Sequence, residues 1–159
     1  MGRRKPGRVV EGRFDGSGRR FAVVAGRFNE FITRHMLDAC LNALVRHGVR
    51  AGDIDVVWVP GSFELATAAR GLARKRSADA IICLGCIIRG DTPHFEHISR
   101  ETARGIAEVG RRTGVPTIFG VLTCETLEQA IERAGAKMGN KGADAALAAL
   151  EMADLMPRL

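Results

Sequence analysis

The sequence predicts an α/β fold: a three-layer α/β/α sandwich built on a doubly wound, parallel, four-stranded sheet. Short apolar runs alternate four times with segments whose apolar residues recur at helical spacing. The runs are apolar at consecutive positions, which is typical of strands covered by helices on both faces. A length of 159 residues, of which 46% are hydrophobic, fits a single domain of this kind.

Local signals predict the strands and the first helices. The strands are expected at residues 21–26, 55–59, 78–88 and 116–122. Asn29 is the expected N-cap of a first helix over residues 30–47, and Ser62 is the expected N-cap of the second. Thr92 and Pro93 are expected as the N-cap and first residue of the third helix, because proline is favoured at that first position.

The remainder of the chain is predicted to add two more helices. The residues expected to face inward are Phe63, Ala66, Ala69, Leu72 and Ala73 in the second helix, and Leu127, Ala130, Ile131 and Ala134 in the fourth. A glycine-broken turn at residues 137–142 then leads into an alanine-rich helix over residues 143–156. Residues 21–159 are therefore expected to form one domain.

Residues 1–20 are expected to form a basic, Gly/Arg-rich N-terminal arm. They hold seven basic and two acidic residues, so most of the net charge of +6 lies there. This location favours a solvated arm over a polyanion contact. With no Tyr and one Trp, the chain lacks an aromatic platform for single-stranded nucleic acid. Residues 9–14 are a candidate extra strand that pairs with a neighbouring subunit.

The apolar runs and the cysteines indicate a cytoplasmic protein without a membrane segment or a metal. The longest apolar runs are about half the length of a membrane span, and no apolar segment follows the basic N-terminus. Cys83 and Cys86 lie in an apolar strand, where residues three apart point to opposite faces, so buried thiols are expected. His94 and His97 have helical spacing but no third ligand near them.

The candidate site lies where the strands end. In open parallel sheets, ligands bind outside the carboxyl ends of the strands, and four loops are predicted to bring Phe28, Glu64, Arg89 and His94 there. The third loop combines a glycine with a helix start and suits an anion, with Arg89 and Thr92 as further donors. His94 falls in the first helical turn, and a histidine can transfer protons near neutral pH. Nucleotide-binding glycine motifs and a nucleophile elbow are missing.

Several segments, in the same order along the chain, resemble one known family, the lumazine synthases. They are RFNE at 27–30, VPGSFE at 59–64, GCIIRGDTPHF at 85–95, FGVLT at 119–123, EQA at 128–130, RAG at 133–135 and GNKG at 139–142. The resemblance implies a flavodoxin-like fold. It also implies condensation of 5-amino-6-ribitylaminouracil with 3,4-dihydroxy-2-butanone 4-phosphate. The products would be 6,7-dimethyl-8-ribityllumazine, phosphate and water, in riboflavin biosynthesis, with no metal or organic cofactor.

The resemblance also implies roles for particular residues. His94 would be the proton shuttle, and Phe28 would stack on the pyrimidine ring. The residues expected to hold the ribityl chain and ring edge are Ser62, Phe63, Glu64, Cys86, Ile87 and Ile88. Asp91 and Thr92 would meet the phosphate-bearing substrate. Those expected to complete the site from a neighbouring subunit are Phe119, Arg133 and Lys141, with Arg133 on the phosphate.

The implied partners are the two small-molecule substrates and further copies of the chain. Members of the family form pentamers and, in some cases, icosahedral shells of pentamers, so a homo-oligomer is expected. Two alternatives stay open: an archaeal-type riboflavin synthase, which joins two lumazine molecules, and a non-catalytic shell that binds flavin or lumazine. His94 and Arg133 favour the lumazine synthase. A nucleic-acid role for the arm is a third alternative.

Overall fold

A computed structural model describes residues 7–159 and has a four-stranded parallel sheet at its centre. The strands are β1 (Phe21–Gly26), β2 (Ile54–Val59), β3 (Ala80–Ile88) and β4 (Thr117–Cys124). Their order in the sheet is β2-β1-β3-β4, and every neighbouring pair is parallel. The predicted α/β fold is therefore confirmed, and every strand end lies within two residues of its expected position.

Five helices cover the two faces of the sheet. They are α1 (Glu30–Arg46), α2 (Leu65–Lys75), α3 (His94–Thr113), α4 (Leu127–Arg133) and α5 (Lys141–Leu155). Apolar residues of α1, α4 and α5 join one buried cluster with β1, β3 and β4, while those of α2 and α3 join a second cluster on the opposite face. The molecule is the three-layer sandwich that the alternation of strands and helices predicts.

The central strand β3 contributes completely buried residues to both clusters. In β3, Ile82 and Leu84 belong to the cluster under α1 and α5, while Ile81 and Cys83 belong to the cluster under α2 and α3. All four are completely buried. Each large apolar side chain buried in this way contributes roughly 1.5–3 kcal/mol to folding. The consecutive apolar residues of the sequence therefore serve both faces of one strand.

The first helix begins after Asn29 as predicted, but the way this helix is capped and the starts of the next two helices differ from the prediction. Asn29 has a left-handed backbone (φ 62°), and its side chain caps no helical N–H but donates to the carbonyl of Cys86 at 2.9 Å. Ser62 opens a 3₁₀ turn, Ser62–Glu64, before α2 begins. Pro93 precedes α3 instead of lying inside it. The Asn29 side chain fastens its loop to the end of β3, and that use of a polar residue competes with capping.

The predicted inward faces of the second and fourth helices were partly wrong. Phe63 is 56% exposed, while its neighbour Leu65, which the prediction passed over, is completely buried. In α4, Leu127 and Ile131 are exposed and the small residue Ala130 is buried, as is Ala134, which directly follows the helix. A seven-residue helix that rests on alanines presents its larger apolar side chains to the outside.

The expected glycine turn before the last helix is a small β-hairpin. Strands β5 (Ala134–Ala136) and β6 (Gly139–Asn140) pair antiparallel across it. The Asn140 side chain then caps α5 by accepting the N–H of Gly142 at 2.8 Å. A Cβ on Gly142 would lie 1.9 Å from the carbonyl oxygen of Met36, so only glycine permits this contact between α5 and α1.

The described part of the arm, residues 7–20, contains no strand and lies against α5 of its own chain. The backbone N–H of Arg13 and the guanidinium of Arg19 both donate to Asp154. Arg158 donates to the carbonyl of Glu11. Within one chain, residues 9–14 are thus an extended strap, and their pairing with a neighbouring subunit stays a prediction. The most basic part of the arm, residues 1–6, lies outside the described residues.

Candidate active site

A cleft of about 550 Å³ opens at the carboxyl ends of β1 and β3. This is the point at which the strand order reverses, because the chain passes from β1 to β2 on one side and returns to β3 on the other. The cleft is lined by Phe28, Pro60, Gly61, Ser62, Phe63, Glu64, Cys86, Ile87, Ile88, Gly90, Thr92, His94, Phe95 and Ile98. The expected position of the site at the strand ends therefore coincides with a real cavity.

The cleft brings together most, but not all, of the predicted site residues. Those that line it are Phe28, Ser62, Phe63, Glu64, Cys86, Ile87, Ile88, Thr92 and His94. Asp91 is exposed in the same loop but does not line the cleft. The residues expected from a neighbouring subunit, Phe119, Arg133 and Lys141, line a separate cleft of about 460 Å³ along β4.

The loops after β1 and β2 are joined by their backbones. The N–H groups of Arg27 and Phe28 donate to the carbonyls of Val59 and Pro60 at 2.8 and 3.0 Å, which continues the strand pairing past the end of the sheet. A Cβ on Gly61 would lie 3.7 Å from Phe28 Cβ and 3.4 Å from Glu64 Oε2. The aromatic ring and the carboxylate therefore flank the same glycine.

Two large aromatic side chains form open walls of the cleft. Phe28 is 74% exposed and Phe63 is 56% exposed, although both lie beside a cavity. Together with Ile87 and Ile88 they offer an apolar surface with few polar groups, which is the usual lining of a small-molecule site. A flat ring fits between such walls because aromatic faces stack on one another.

The polar side of the cleft depends on a close approach between β3 and the loop after β2. Ser62 is buried, and a Cβ on Gly85 would lie only 2.5 Å from its Oγ and 3.2 Å from Leu65 Cδ1. Glycine at position 85 therefore lets the 3₁₀ turn rest on β3. The turn presents Phe63 and Glu64 to the cavity.

Cys86 lines the cleft, and it also belongs to the buried cluster on the α1 and α5 face. Burial raises the pKa of the Cys86 thiol to about 12, and the pKa of Cys40 and of Cys83 to about 12. These thiols are protonated at neutral pH and are not nucleophiles. The prediction that Cys83 and Cys86 are buried free thiols is confirmed, and Cys40 and Cys124 are buried and free as well.

In the loop between β3 and α3, Arg89 also differs from the prediction. Arg89 was a candidate donor to a bound anion, but its Nε donates to Glu125 at 2.5 Å and its Nη1 donates to Glu96. Arg89 is absent from the lining of the cleft, whereas Thr92 and His94 belong to it. The sequence did not predict this ion-pair cluster. The only signals for it were Glu96, near the predicted start of the third helix, and Glu125, just after the predicted fourth strand.

The second cleft contains two cations fixed by their own helices. Arg133 Nη1 donates to the carbonyl of Gln129 at 3.0 Å, and Lys141 Nζ donates to Asp144 at 2.9 Å. Phe119 lies on β4 and is 45% exposed. This cleft follows β4, which pairs only with β3 within residues 7–159. A sheet edge with cations and an aromatic ring is suited to contact an anionic ligand.

Metal ligation and membrane crossing find no support in the described residues. Across residues 7–159, no group of three or more His, Cys, Asp or Glu side chains is arranged to hold a metal ion. His94 and His97 are both exposed at the start of α3. In the same part of the chain, no helix is both long and apolar enough to span a bilayer.

The fold and cleft define a doubly wound α/β protein with a small-molecule site at its topological switch point. Residues 18–157, nearly the whole chain, match the sequence model of the 6,7-dimethyl-8-ribityllumazine synthase family. The chain belongs to this family, and this confirms the resemblance carried by the loop motifs. Family membership connects the chain with riboflavin biosynthesis and with transferase enzymes.

Proposed function

We propose that the protein catalyses the condensation of 5-amino-6-ribitylaminouracil with 3,4-dihydroxy-2-butanone 4-phosphate. The products are 6,7-dimethyl-8-ribityllumazine, phosphate and water. The observation that carries the proposal is the cleft of a family member that unites Phe28, Glu64 and His94 at the ends of β1, β2 and β3. An aromatic wall, a carboxylate and an imidazole supply stacking, hydrogen bonding and proton transfer at one place.

The chemistry requires positioning and proton transfer. The amine of the pyrimidine attacks the ketone, and loss of water gives an imine. Phosphate then leaves by elimination, and the carbon that bears the neighbouring hydroxyl becomes an enol. A proton transfer converts this enol into a ketone, and the ribitylamino nitrogen closes the second ring on it with loss of another water. Each step moves a proton, so an imidazole at His94 is a suitable general acid and base. Holding both reactants in one cleft supplies much of the remaining rate acceleration.

The residues of the cleft divide between the two substrates. Phe28 stacks on the pyrimidine ring, and the segments 62–64 and 86–88 hold its edge and its ribityl chain. Thr92 and Asp91, just before α3, face the phosphate-bearing substrate, where free N–H groups favour an anion.

The complete site requires a second subunit in this proposal. Phe119, Arg133 and Lys141 line a different cleft from His94 in the single chain. If the cleft along β4 of one subunit closes over the His94 cleft of the next, Arg133 meets the phosphate with its forked donors. The active form is then a homo-oligomer, either a pentamer or a shell built from pentamers.

The direct test is incubation of the purified protein with both substrates. We expect the lumazine chromophore to appear together with one phosphate per molecule formed. A riboflavin synthase would instead consume lumazine alone and form riboflavin. A binding shell would take up lumazine without turnover. Either of these two outcomes would contradict the proposed reaction.

Mixing two inactive variants tests whether the site is shared between subunits. His94→Ala subunits retain an intact β4 cleft, and Arg133→Ala subunits retain an intact His94 cleft. We expect oligomers reassembled from both to regain activity, because some sites combine the two unmodified halves. The matched control is each variant taken through reassembly alone. Mixed oligomers as inactive as the single variants would place Arg133 and His94 in one subunit's site.

A further inference from the structure

Arg89 joins the segments that follow two neighbouring strands. It is the first residue after β3, and its Nε donates to Glu125 Oε2 at 2.5 Å, in the loop after β4. Its Nη1 donates to Glu96 in the first turn of α3. Its backbone N–H donates to the carbonyl of Cys124 at 2.9 Å. One side chain thus connects the β3–α3 loop, the start of α3 and the β4–α4 loop.

The residues that Arg89 contacts are the immediate neighbours of His94. The guanidinium carbon lies 4.3 Å from the centre of the Phe95 ring, a cation–π contact, and Glu96 is the next residue. His94 and Phe95 line the cleft, whereas Arg89 and Glu96 do not. The Arg89 side chain therefore does not line the cleft itself but contacts the helical turn that carries His94.

The chemistry of arginine suits this arrangement. A planar guanidinium presents donors along several edges, so it can bind two carboxylates while its face lies on an aromatic ring. The hydrogen bond from Arg89 lowers the pKa of Glu96, so that carboxylate is ionised at neutral pH. A lysine ammonium at position 89 could pair with one carboxylate but could not keep this three-part contact.

The network is too exposed to matter greatly for global stability. The side chain of Arg89 is 36% exposed and that of Glu125 is 58% exposed. Ion pairs with such exposure contribute little to the free energy of unfolding. Their joint effect is on geometry. Both carboxylates and the Phe95 ring contact the same guanidinium, and this arrangement fixes the position of the first turn of α3.

We propose that Arg89 is a positioning residue, which orients His94 by tying the first turn of α3 to the loop after β4. This inference rests on the proposed function of His94 as the proton-transfer group. It assigns to Arg89 no contact with either substrate. Glu125 takes part in the same positioning, since it holds the guanidinium of Arg89 at the β4–α4 loop.

Steady-state kinetics of Arg89→Ala, Arg89→Lys and Glu125→Gln give the first test. We expect Arg89→Ala to lower kcat by about 10- to 100-fold, because a displacement of about 1 Å can have that effect. KM for the pyrimidine should change little, and Arg89→Lys should retain more activity than Arg89→Ala. Arg112→Ala, which removes an exposed ion pair to Glu108 at the far end of α3, is the matched control. A purely larger KM with unchanged kcat would overturn the proposal.

A double variant separates positioning from direct catalysis. If Arg89 acts through His94, Arg89→Ala in a His94→Ala background should lower kcat by less than about twofold, since the two changes are coupled. Equal losses in both backgrounds would contradict the proposal. Sedimentation of each variant is compared with that of the unmodified protein, so a loss of assembly is recognised.

Hydrogen exchange provides a readout that does not depend on the reaction. We expect Arg89→Ala and Glu125→Gln to speed amide exchange of Glu96 and His97, whose N–H groups donate to the carbonyl of Pro93, while the rest of α3 and the Arg112→Ala control keep their protection. Unchanged exchange of these two amides would overturn the positioning role. If the unmodified protein forms no lumazine, the proposed function fails, and this exchange result still decides whether Arg89 orders the turn.

Discussion

The carboxylate of Asp154 in α5 accepts the backbone N–H of Arg13 at 2.9 Å, so the last helix holds the N-terminal arm through the main chain of the arm. Arg19 and Arg158 donate to the same carboxylate at 3.1 and 2.5 Å. The hydrogen bond from Arg13, followed by the charges of Arg158 and Arg19, holds the pKa of Asp154 below its ordinary value of 3.8. Asp154 is therefore ionised whenever the arm is attached at neutral pH.

Asp154→Asn should loosen the arm. The pKa of Asp154 is lower in the folded state than in the unfolded state, so its stabilising effect is complete above about pH 3.8 and is lost as the pH falls through the lowered value. We expect trypsin to cut after Arg13 and Arg19 faster in this variant at neutral pH. Asp38→Asn, at an exposed position of α1, is the control, and equal cleavage of both variants would refute the anchoring role.

Gly85→Ala should damage the site and the fold together. The new methyl group would lie 2.5 Å from Ser62 Oγ, so the turn that carries Glu64 must move away from β3. Overpacking of this kind costs about 1–3 kcal/mol of unfolding free energy. Chemical denaturation measures the loss. Gly71→Ala, which meets no atom within 4 Å and lies in α2, is the matched control and should be neutral or stabilising.

His94→Ala should lower turnover without affecting folding. General acid–base catalysis accounts for about 10²–10⁴-fold in rate, and we expect a loss near the lower end because both reactants still bind next to each other. His94 is exposed in the first turn of α3, so little core packing is removed. His97→Ala, one turn further along, should be much milder because His97 does not line the cleft. Single-turnover formation of lumazine is the measurement, and normal turnover in His94→Ala would exclude the proton-transfer role.

Arg133→Ala should selectively weaken the binding of the phosphate-bearing substrate. Loss of a charge-assisted, forked contact costs about 1.5–3 kcal/mol of binding free energy. Affinity for the pyrimidine should barely change. Titration calorimetry with each substrate distinguishes the two effects, and Arg112→Ala serves as the control for loss of an arginine charge. An equal loss of pyrimidine binding would place Arg133 elsewhere in the site.

The fold was predictable because buried parallel strands carry a strong signal. Ile81 and Ile82 face opposite sides of β3, and both are buried, so the apolar pattern continues without interruption. The positions of loop side chains were less predictable. Asn29 occupies the predicted N-cap position, but its side chain caps no N–H of α1. The backbone of Asn29 is left-handed, and its side chain donates instead to the carbonyl of Cys86 on the neighbouring strand β3.

The site was predictable as a set of loops but not as a set of contacts. Strand ends place Phe28, Glu64 and His94 near one another in any doubly wound sheet with this order. Arg89 illustrates the limit. Its position after β3 suggests an anion-binding role, and only the tertiary structure brings Glu96 and Glu125 to its guanidinium. Ion pairs between distant loops leave no periodic trace in a sequence.

The strap along α5 also brings the two ends of the described chain side by side. Arg8 Nη2 donates to the carbonyl of Arg158 at 3.0 Å, although 150 positions separate them in the sequence. A short Gly/Ser linker could therefore join these positions into a closed ring, and the chain could be opened instead at Arg76, in the exposed turn that follows α2. Such a circular permutant would keep the sheet order and both clefts. It would also move the free ends to the surface beside α2, where a fused cargo or label would project.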